Sequence, residues 1–193
     1  MTRLAVGLLG GSFNPAHEGH LHISREALKR LHLDQVWWLV SPQNPLKPVS
    51  GMASLDVRLA SADRVAQHPA IRVSDIELRL GTRYTIDTVR ALRRRFPGYR
   101  FVWLIGADNL LQFPRWRRWS ETAETLPIAV FARGRVTYRA LAGPMARRYA
   151  SARVRDPRSL ARHAPPAWSF LFTSLHPASS TALRAAGKGG ILV

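Results

Sequence analysis

The sequence predicts an α/β fold, a Rossmann-like, doubly wound parallel sheet with helices on both faces, formed as a single domain over residues 1–193. Short apolar runs such as residues 4–9 have the composition of strands buried on both faces of a parallel sheet. Segments with helical spacing of apolar side chains alternate with these runs, which indicates a parallel sheet with right-handed crossovers. Glycine-rich or polar segments follow several of the runs, and ligands bind at that end of such sheets.

The elements follow in a regular order along the chain. Strands are predicted over residues 4–9, 35–40, 71–74, 100–105, 126–132 and 168–175, and helices over 19–33, 54–68 and 86–96. Ser54 is placed to cap the second helix, and the prolines of residues 41–48 predict a loop at the end of a strand. Residues 106–109 are predicted as a turn. Residues 133–166 have only weak periodicity, and a short C-terminal element occupies 177–193.

The charge of the chain is strongly positive, with 29 Lys and Arg against 12 Asp and Glu and a formal net charge of +17. Charge alone suggests a nucleic-acid-binding protein. However, the basic residues are almost all arginine and are scattered through predicted helices, which favours a solvated surface that also attracts an anionic substrate. We therefore expect no nucleic-acid partner.

The composition also bears on where the protein works. The absence of cysteine excludes disulfides and thiolate metal sites, and it fits a reducing cytosol. No apolar run has the length of a membrane span, and the N-terminal region lacks the long apolar stretch of a signal peptide. The expectation is a cytoplasmic protein without a membrane partner. A homo-oligomer is compatible with the sequence, which leaves the oligomeric state open.

Residues 10–20, here called the glycine–histidine segment, carry the clearest chemical signal. Gly10, Gly11 and Ser12 follow the first strand, and glycine lets a phosphate approach the backbone closely. His17 and His20 lie three residues apart at the start of a predicted helix, so both imidazoles can point at one anion. A zinc pair is the alternative, but no third ligand of the right kind stands nearby. The segment therefore predicts a phosphate-binding site.

Four segments, taken in order, resemble a known family. Residues 10–20 resemble the signature of the nucleotidyltransferases, and residues 179–184 resemble their C-terminal arginine motif. Residues 83–88, together with residues 105–110 and the following Trp116, resemble the nicotinate-nucleotide adenylyltransferase branch. The resemblance extends over residues 4–184, and it implies transfer of AMP from ATP to nicotinate mononucleotide, which yields nicotinate adenine dinucleotide (NaAD) and pyrophosphate without a covalent intermediate.

The resemblance also implies roles for individual residues. His17, His20 and Arg184 would be catalytic, because they stabilise charge on the triphosphate. The expected ATP-binding residues are Gly10, Gly11, Ser12, Phe13, His17, His20, Gly106, Asp108, Ser180, Thr181 and Arg184. The expected residues for nicotinate mononucleotide are Asn44, Lys47, Tyr84, Thr85, Asp108 and Trp116, with Thr85 and nearby N–H groups at the nicotinate carboxylate and Trp116 stacked on the pyridine. Mg²⁺ is implied as the ion that accompanies ATP, without protein ligands.

The chain departs from the family pattern in one loop. The family usually has histidine before the basic residue that Lys47 represents, and here Leu46 stands in its place. Two relatives remain as alternatives, one that uses nicotinamide mononucleotide and one that uses phosphopantetheine. The segment with His17 and the pair Tyr84 and Thr85 count against phosphopantetheine.

Overall fold

The structure is a computed structural model that describes residues 3–42, 51–132, 136–174 and Ser180. Its strands are β1 to β6 in chain order: Leu4–Gly11, Gln35–Val40, Ile71–Ser74, Tyr99–Gly106, Ile128–Phe131 and Trp168–Leu171. Its helices are α1 to α8: Glu18–Leu31, Leu55–Val65, Ile76–Arg79, Thr85–Arg95, Ala107–Gln112, Trp119–Ala123, Thr137–Leu141 and Pro144–Arg148.

The six strands form one parallel sheet in the order β3-β2-β1-β4-β5-β6. The chain runs outward from β1 to β3 and then returns to β4 on the other side of β1. The strand order therefore reverses between β1 and β4, and doubly wound sheets bind ligands in the crevice that opens there. The predicted fold class is confirmed.

Two apolar cores cover the two faces of the sheet. Residues of α1 and α2, such as Leu31 and Ala62, pack on one face together with Leu160 from a short 3-10 helix. Residues of α4 to α8, such as Leu92 and Leu110, pack on the other face. Trp38 and Trp168 are among the largest fully buried side chains. Within the described ranges, no helix is long and apolar enough to cross a bilayer.

Several predicted boundaries were wrong, for physical reasons. Strand β1 continues through Gly10 and Gly11, which pair with Leu39 and Val40 of β2, because a parallel neighbour can hold glycine in a strand. Residues 107–109, predicted within a turn, begin helix α5. Helix α3 was missed, since its four residues are too few to show a period. No element was predicted over residues 133–166, and the described part of this stretch contains α7, α8 and 3-10 helices at Ala150–Ala152 and Pro157–Arg162.

Candidate active site

A cleft of about 390 Å³ opens at the point where the strand order reverses. Its walls come from both strands at that point, from the segment that joins α3 to α4, and from α5 with the residues after it. The lining residues are Gly10, Gly11, Ser12, Ser41, Glu77, Arg83, Tyr84, Thr85, Trp103, Asn109, Gln112, Arg115, Trp116 and Arg117. The cleft thus brings together six residues that the sequence predicted for ATP or nicotinate mononucleotide.

The start of helix α4 places Tyr84 and Thr85 in the wall of the cleft. Tyr84 is the residue before the helix, and Thr85 is the first residue inside it, so N–H groups of the first helical turn lie beside the cleft. The guanidinium of Arg117 lies 4.6 Å from the centre of the Tyr84 ring, within the range of a cation–π contact. The helix start is therefore suited to bind an anionic group.

Trp116 stands on another wall of the cleft, held by aromatic neighbours. Its ring meets those of Phe113 and Trp103 edge to face, with centroids 5.1 and 6.4 Å apart. Phe113 is completely buried, so it anchors the indole while Trp116 remains partly exposed to the cleft. The half-buried indole gives the cleft an aromatic surface for a planar ligand.

Trp103 lines the cleft from β4, although the sequence did not single it out. A Cβ added at Gly10 would lie 2.9 Å from two atoms of the Trp103 ring, so the tryptophan needs glycine at that position. The indole Nε1 of Trp103 is buried and has no hydrogen-bond partner in the described part of the chain. Gly10 therefore has a packing role in addition to the predicted phosphate role.

Glu77 is the acidic side chain in the cleft wall, and it also was not predicted. It lies on α3, is only 8% exposed, and accepts a hydrogen bond of 3.1 Å from the Thr88 hydroxyl. Burial raises the pKa of Glu77 from 4.5 to about 7, against the lowering effect of hydrogen bonds from Thr88 and Ser41. No sequence signal marked this glutamate, because α3 has only four residues and so shows no helical period of apolar side chains.

Residues 12–17 join β1 to α1 and are called the first loop. Phe13 has left-handed backbone geometry, with φ of 46°, which is costly for a residue with a side chain. Its ring is almost fully buried and stacks on Trp38, with centroids 5.1 Å apart. The buried ring holds the strained backbone in place and so fixes the path of the first loop.

His17 and His20, the histidine pair, meet at the end of the first loop. Their ring centroids are 3.9 Å apart, and the His20 ring also contacts Phe13. The Nδ1 of His17 accepts from the N–H of Gly19, and the Nδ1 of His20 accepts from the N–H of His17. With both Nδ1 atoms acting as acceptors, each ring carries its proton on Nε2 and can donate from there.

The remaining predicted residues divide into two groups. The Ser180 hydroxyl donates to the Pro15 carbonyl over 3.0 Å, so the C-terminal motif reaches the first loop. Gly106 is buried at the end of β4, and Asp108 is half-buried on α5. The predicted Asn44, Lys47, Thr181 and Arg184 lie outside the described residues, as does the rest of 177–193 apart from Ser180.

Positive charge surrounds the mouth of the cleft. Arg83, Arg115 and Arg117 are exposed and line it, while the one carboxylate among the described lining residues is the buried Glu77. The three arginines therefore give this end of the sheet a positive electrostatic potential. The sequence interpretation that part of the net charge serves substrate attraction stays a prediction.

Comparison with known proteins identifies the family. A family model described as "Cytidylyltransferase-like" matches residues 8–186. A protein of Cereibacter sphaeroides named probable nicotinate-nucleotide adenylyltransferase is 57% identical over 96% of this chain and 99% of its own length. A protein of the same name from Parvibaculum lavamentivorans is 55% identical over 95% of this chain and 92% of its own length. The chain belongs to the nicotinate-nucleotide adenylyltransferase family.

Solved structures share the fold of this chain. Plasmodium falciparum nicotinic acid mononucleotide adenylyltransferase matches with TM-scores of 0.69 for its complex with NaAD and 0.67 for its complex with APC. Each match covers 94% of this chain and 83% of that chain, at 14% and 13% identity respectively. The family and the nucleotidyltransferase class that four sequence motifs predicted are both confirmed.

Proposed function

We propose that the cleft and the adjacent first loop form one site, in which AMP passes from ATP to nicotinate mononucleotide. The products are NaAD, which extends the mononucleotide, and pyrophosphate. The observation that carries the proposal is the position of the cleft: it lies at the switch point, with the glycines of β1 on one wall and Tyr84, Thr85 and Trp116 on the others. The family membership of the chain supports the same activity.

Nicotinate mononucleotide would occupy the cleft. The face of Trp116 suits the flat pyridine ring, and the N–H groups at the start of α4 near Thr85 suit its carboxylate. The exposed Arg83, Arg115 and Arg117 around the mouth add attraction for the carboxylate and the 5′-phosphate. Lys47 and Asn44, which lie outside the described residues, are proposed to meet the phosphate.

ATP would lie over the first loop and the start of α1. An N-terminus of a helix favours phosphate, and the Nε2–H groups of His17 and His20 can donate to the triphosphate there. Arg184 of the C-terminal motif is proposed to bind the phosphates from the other side. Ser180, its neighbour in the motif, already bonds to the first loop.

The chemical step is an in-line displacement. An oxygen of the mononucleotide 5′-phosphate forms a bond to the α-phosphorus of ATP, and the bond between that phosphorus and the oxygen bridging to the β-phosphate breaks. Negative charge moves onto the leaving pyrophosphate, where the histidine pair donates hydrogen bonds. The protein contributes mainly alignment of the two phosphates and stabilisation of this charge.

Mg²⁺ is proposed to enter with ATP. Within the described residues, no group of three or more His, Cys, Asp or Glu side chains could form a protein cage for a metal ion. In nucleotide sites Mg²⁺ keeps water and phosphate oxygens as most of its ligands, so the proposed ion would be held mainly by ATP. When bound, the ion neutralises part of the phosphate charge.

Turnover of competing substrates tests the proposal. Purified protein with ATP and Mg²⁺ is given nicotinate mononucleotide, nicotinamide mononucleotide or phosphopantetheine in parallel, and pyrophosphate release is measured. The proposal predicts the largest kcat/KM for nicotinate mononucleotide. A larger value for either competitor would assign a different acceptor. Tight, salt-sensitive binding of duplex DNA without pyrophosphate release would show that the protein binds nucleic acid and is not this enzyme.

A further inference from the structure

Arg58, on helix α2, is the most buried arginine in the described chain, with only 2% of its surface exposed. Its guanidinium donates four hydrogen bonds, all to main-chain carbonyl oxygens. Nη1 donates to Ser12 over 2.8 Å and to Ser41 over 2.7 Å, while Nη2 donates to Pro42 and Nε to Ala53, both over 3.0 Å. A buried arginine whose hydrogen bonds in the described chain all go to main-chain carbonyls fixes the conformation of the backbone around it.

The four carbonyls belong to three segments that are distant in sequence. Ser12 opens the first loop, Ser41 and Pro42 follow β2 directly, and Ala53 precedes α2. Residues 43–50, the segment proposed to meet the acceptor phosphate, therefore have Arg58 bonds on both flanks. One side chain ties the ATP side of the site to the two ends of the acceptor segment.

A second side chain makes the same connection from the opposite direction. The Nδ2 of Asn14, in the first loop, donates to the Gly51 carbonyl over 3.0 Å, and its Oδ1 accepts from the N–H of Ala53 over 3.3 Å. The N–H of Ser41 also donates to the carbonyl of Gly11 over 2.9 Å. The first loop and the flanks of residues 43–50 are thus held together at several points.

The network reaches the wall of the cleft through Ser41. The carbonyl of Ser41 is held by Arg58, and Ser41 lines the cleft together with Glu77. Glu77 accepts from Thr88, the fourth residue of α4. Arg58 therefore holds one residue of the cleft wall, and Glu77 joins that wall to the helix that presents Thr85 to the acceptor.

The charge of Arg58 also acts on the first loop. The guanidinium makes no ion pair within the described chain, so its positive charge interacts mainly with the dipoles of the carbonyl groups it binds. In a trans peptide the N–H points opposite to the carbonyl, so the N–H of Phe13 points away from Arg58. A cation at the Ser12 carbonyl polarises that peptide and strengthens the Phe13 N–H as a donor to phosphate.

We propose that Arg58 is a positioning residue for both substrates, because its guanidinium fixes the first loop relative to the flanks of residues 43–50. This inference rests on the proposed function, since it assigns ATP to the first loop and the acceptor phosphate to residues 43–50. A purely structural role would lower stability without a matched change in the two Michaelis constants. Loss of positioning weakens the binding of both substrates together, because the first loop and the flanks of residues 43–50 are no longer held relative to each other.

Substitution of Arg58 by lysine tests the proposal. Lysine keeps the charge but cannot hold four carbonyls with a planar fork. In R58K, kcat/KM is expected to fall by about 10²-fold, with KM raised for ATP and for nicotinate mononucleotide alike. The matched control is R94K, at an exposed arginine of α4, which is expected to stay within about twofold of the wild type. An unchanged R58K, or one with only a single KM raised, would overturn the proposal.

Hydrogen exchange gives a readout that does not need activity. In R58K the amides of residues 12–14 and 51–53 are expected to exchange faster together, while those of R94K match the wild type. Unchanged exchange in both segments would contradict the role of Arg58, whatever the activity of the protein. Wild-type protein that released no pyrophosphate would instead count against the proposed function alone. Should R58K not fold, Asn14→Ala decides instead: it is expected to raise both KM values about fivefold, and unchanged values would overturn the proposal.

Discussion

The histidine pair and the cleft are neighbours, but they are built in different ways. The histidine pair is fixed by main-chain hydrogen bonds that span no more than three residues, at the end of a loop held by the buried Phe13. The cleft is assembled from residues that lie as far apart in sequence as Gly10 and Arg117. Its three arginines are exposed, and Tyr84 and Trp116 are half-buried. Under the proposed function, the chemistry would reside in a small local unit, whereas acceptor choice would reside in an assembled wall.

The largest expected effect follows from removing one member of the histidine pair. His17→Ala is expected to lower kcat by about 10³-fold, because the triphosphate loses a donor that acts on developing charge. The same change removes the cap of α1, at a cost of about 1 kcal/mol in the free energy of unfolding. Steady-state kinetics and urea unfolding measure the two effects separately.

A cap-preserving variant separates chemistry from stability at this position. His17→Asn keeps a side-chain acceptor for the α1 N–H groups, so stability is expected to return while turnover stays low. His163→Ala is the control, since His163 is exposed, bonds to the Ser159 hydroxyl and does not line the cleft. Recovery of turnover in His17→Asn would mean that the histidine serves only as a cap.

An intermediate effect is expected in the cleft. Trp116→Ala is expected to raise KM for nicotinate mononucleotide about 20-fold and to leave KM for ATP nearly unchanged, because one stacking surface is lost. Trp119→Phe is the control, because Trp119 packs against Phe113 and Tyr149 beside the cleft wall and does not line the cleft. Equal rises in both KM values for Trp116→Ala would show that Trp116 does not act on the acceptor alone.

A smaller effect is expected from the arginines at the mouth. Arg117→Gln is expected to raise KM for nicotinate mononucleotide about fivefold at low salt, and the difference from wild type is expected to shrink at high salt, where surface charge is screened. Arg94→Gln, on the far part of α4, provides the control. A salt-independent loss would indicate that Arg117 acts by packing on Tyr84 and not by attraction.

The smallest effect concerns stability and pH. Since burial raises the pKa of Glu77 to about 7, the folded state keeps a proton between about pH 4.5 and 7 that the unfolded state releases. Glu77 therefore contributes stability below that window, and the contribution is lost as the pH rises through it. The free energy of unfolding of wild type minus that of Glu77→Gln, from urea titrations, is expected to decrease with rising pH across the window. A difference that increases would show that Glu77 is ionised in the folded protein.

The same contrast explains what the sequence could predict. The glycine–histidine segment was recognised because consecutive residues determine its turn, cap and helix start. Glu77 and Trp103 were missed, since only the packing of α3 and β4 brings them to one cleft. Arg58 had a signal that was not used: it lies at an apolar position of α2, three residues after Leu55 and four before Ala62, where a charged residue indicates a buried role.

The wrong boundaries have a related cause. The end of β1 was placed before Gly10 because glycine has low strand propensity, and only pairing with β2 keeps it in the strand. Helices as short as α7 and α8 show too few turns for a period to appear. Long-range pairing and packing therefore decided the features that local pattern could not.

A crystal structure with nicotinate mononucleotide bound would show which part of the site holds the acceptor. We expect the pyridine ring against the face of Trp116, the carboxylate at the N–H groups near Thr85, and the phosphate directed toward the first loop. The ring bound beside His17 and His20, with the cleft empty, would contradict the assignment of the acceptor to the cleft.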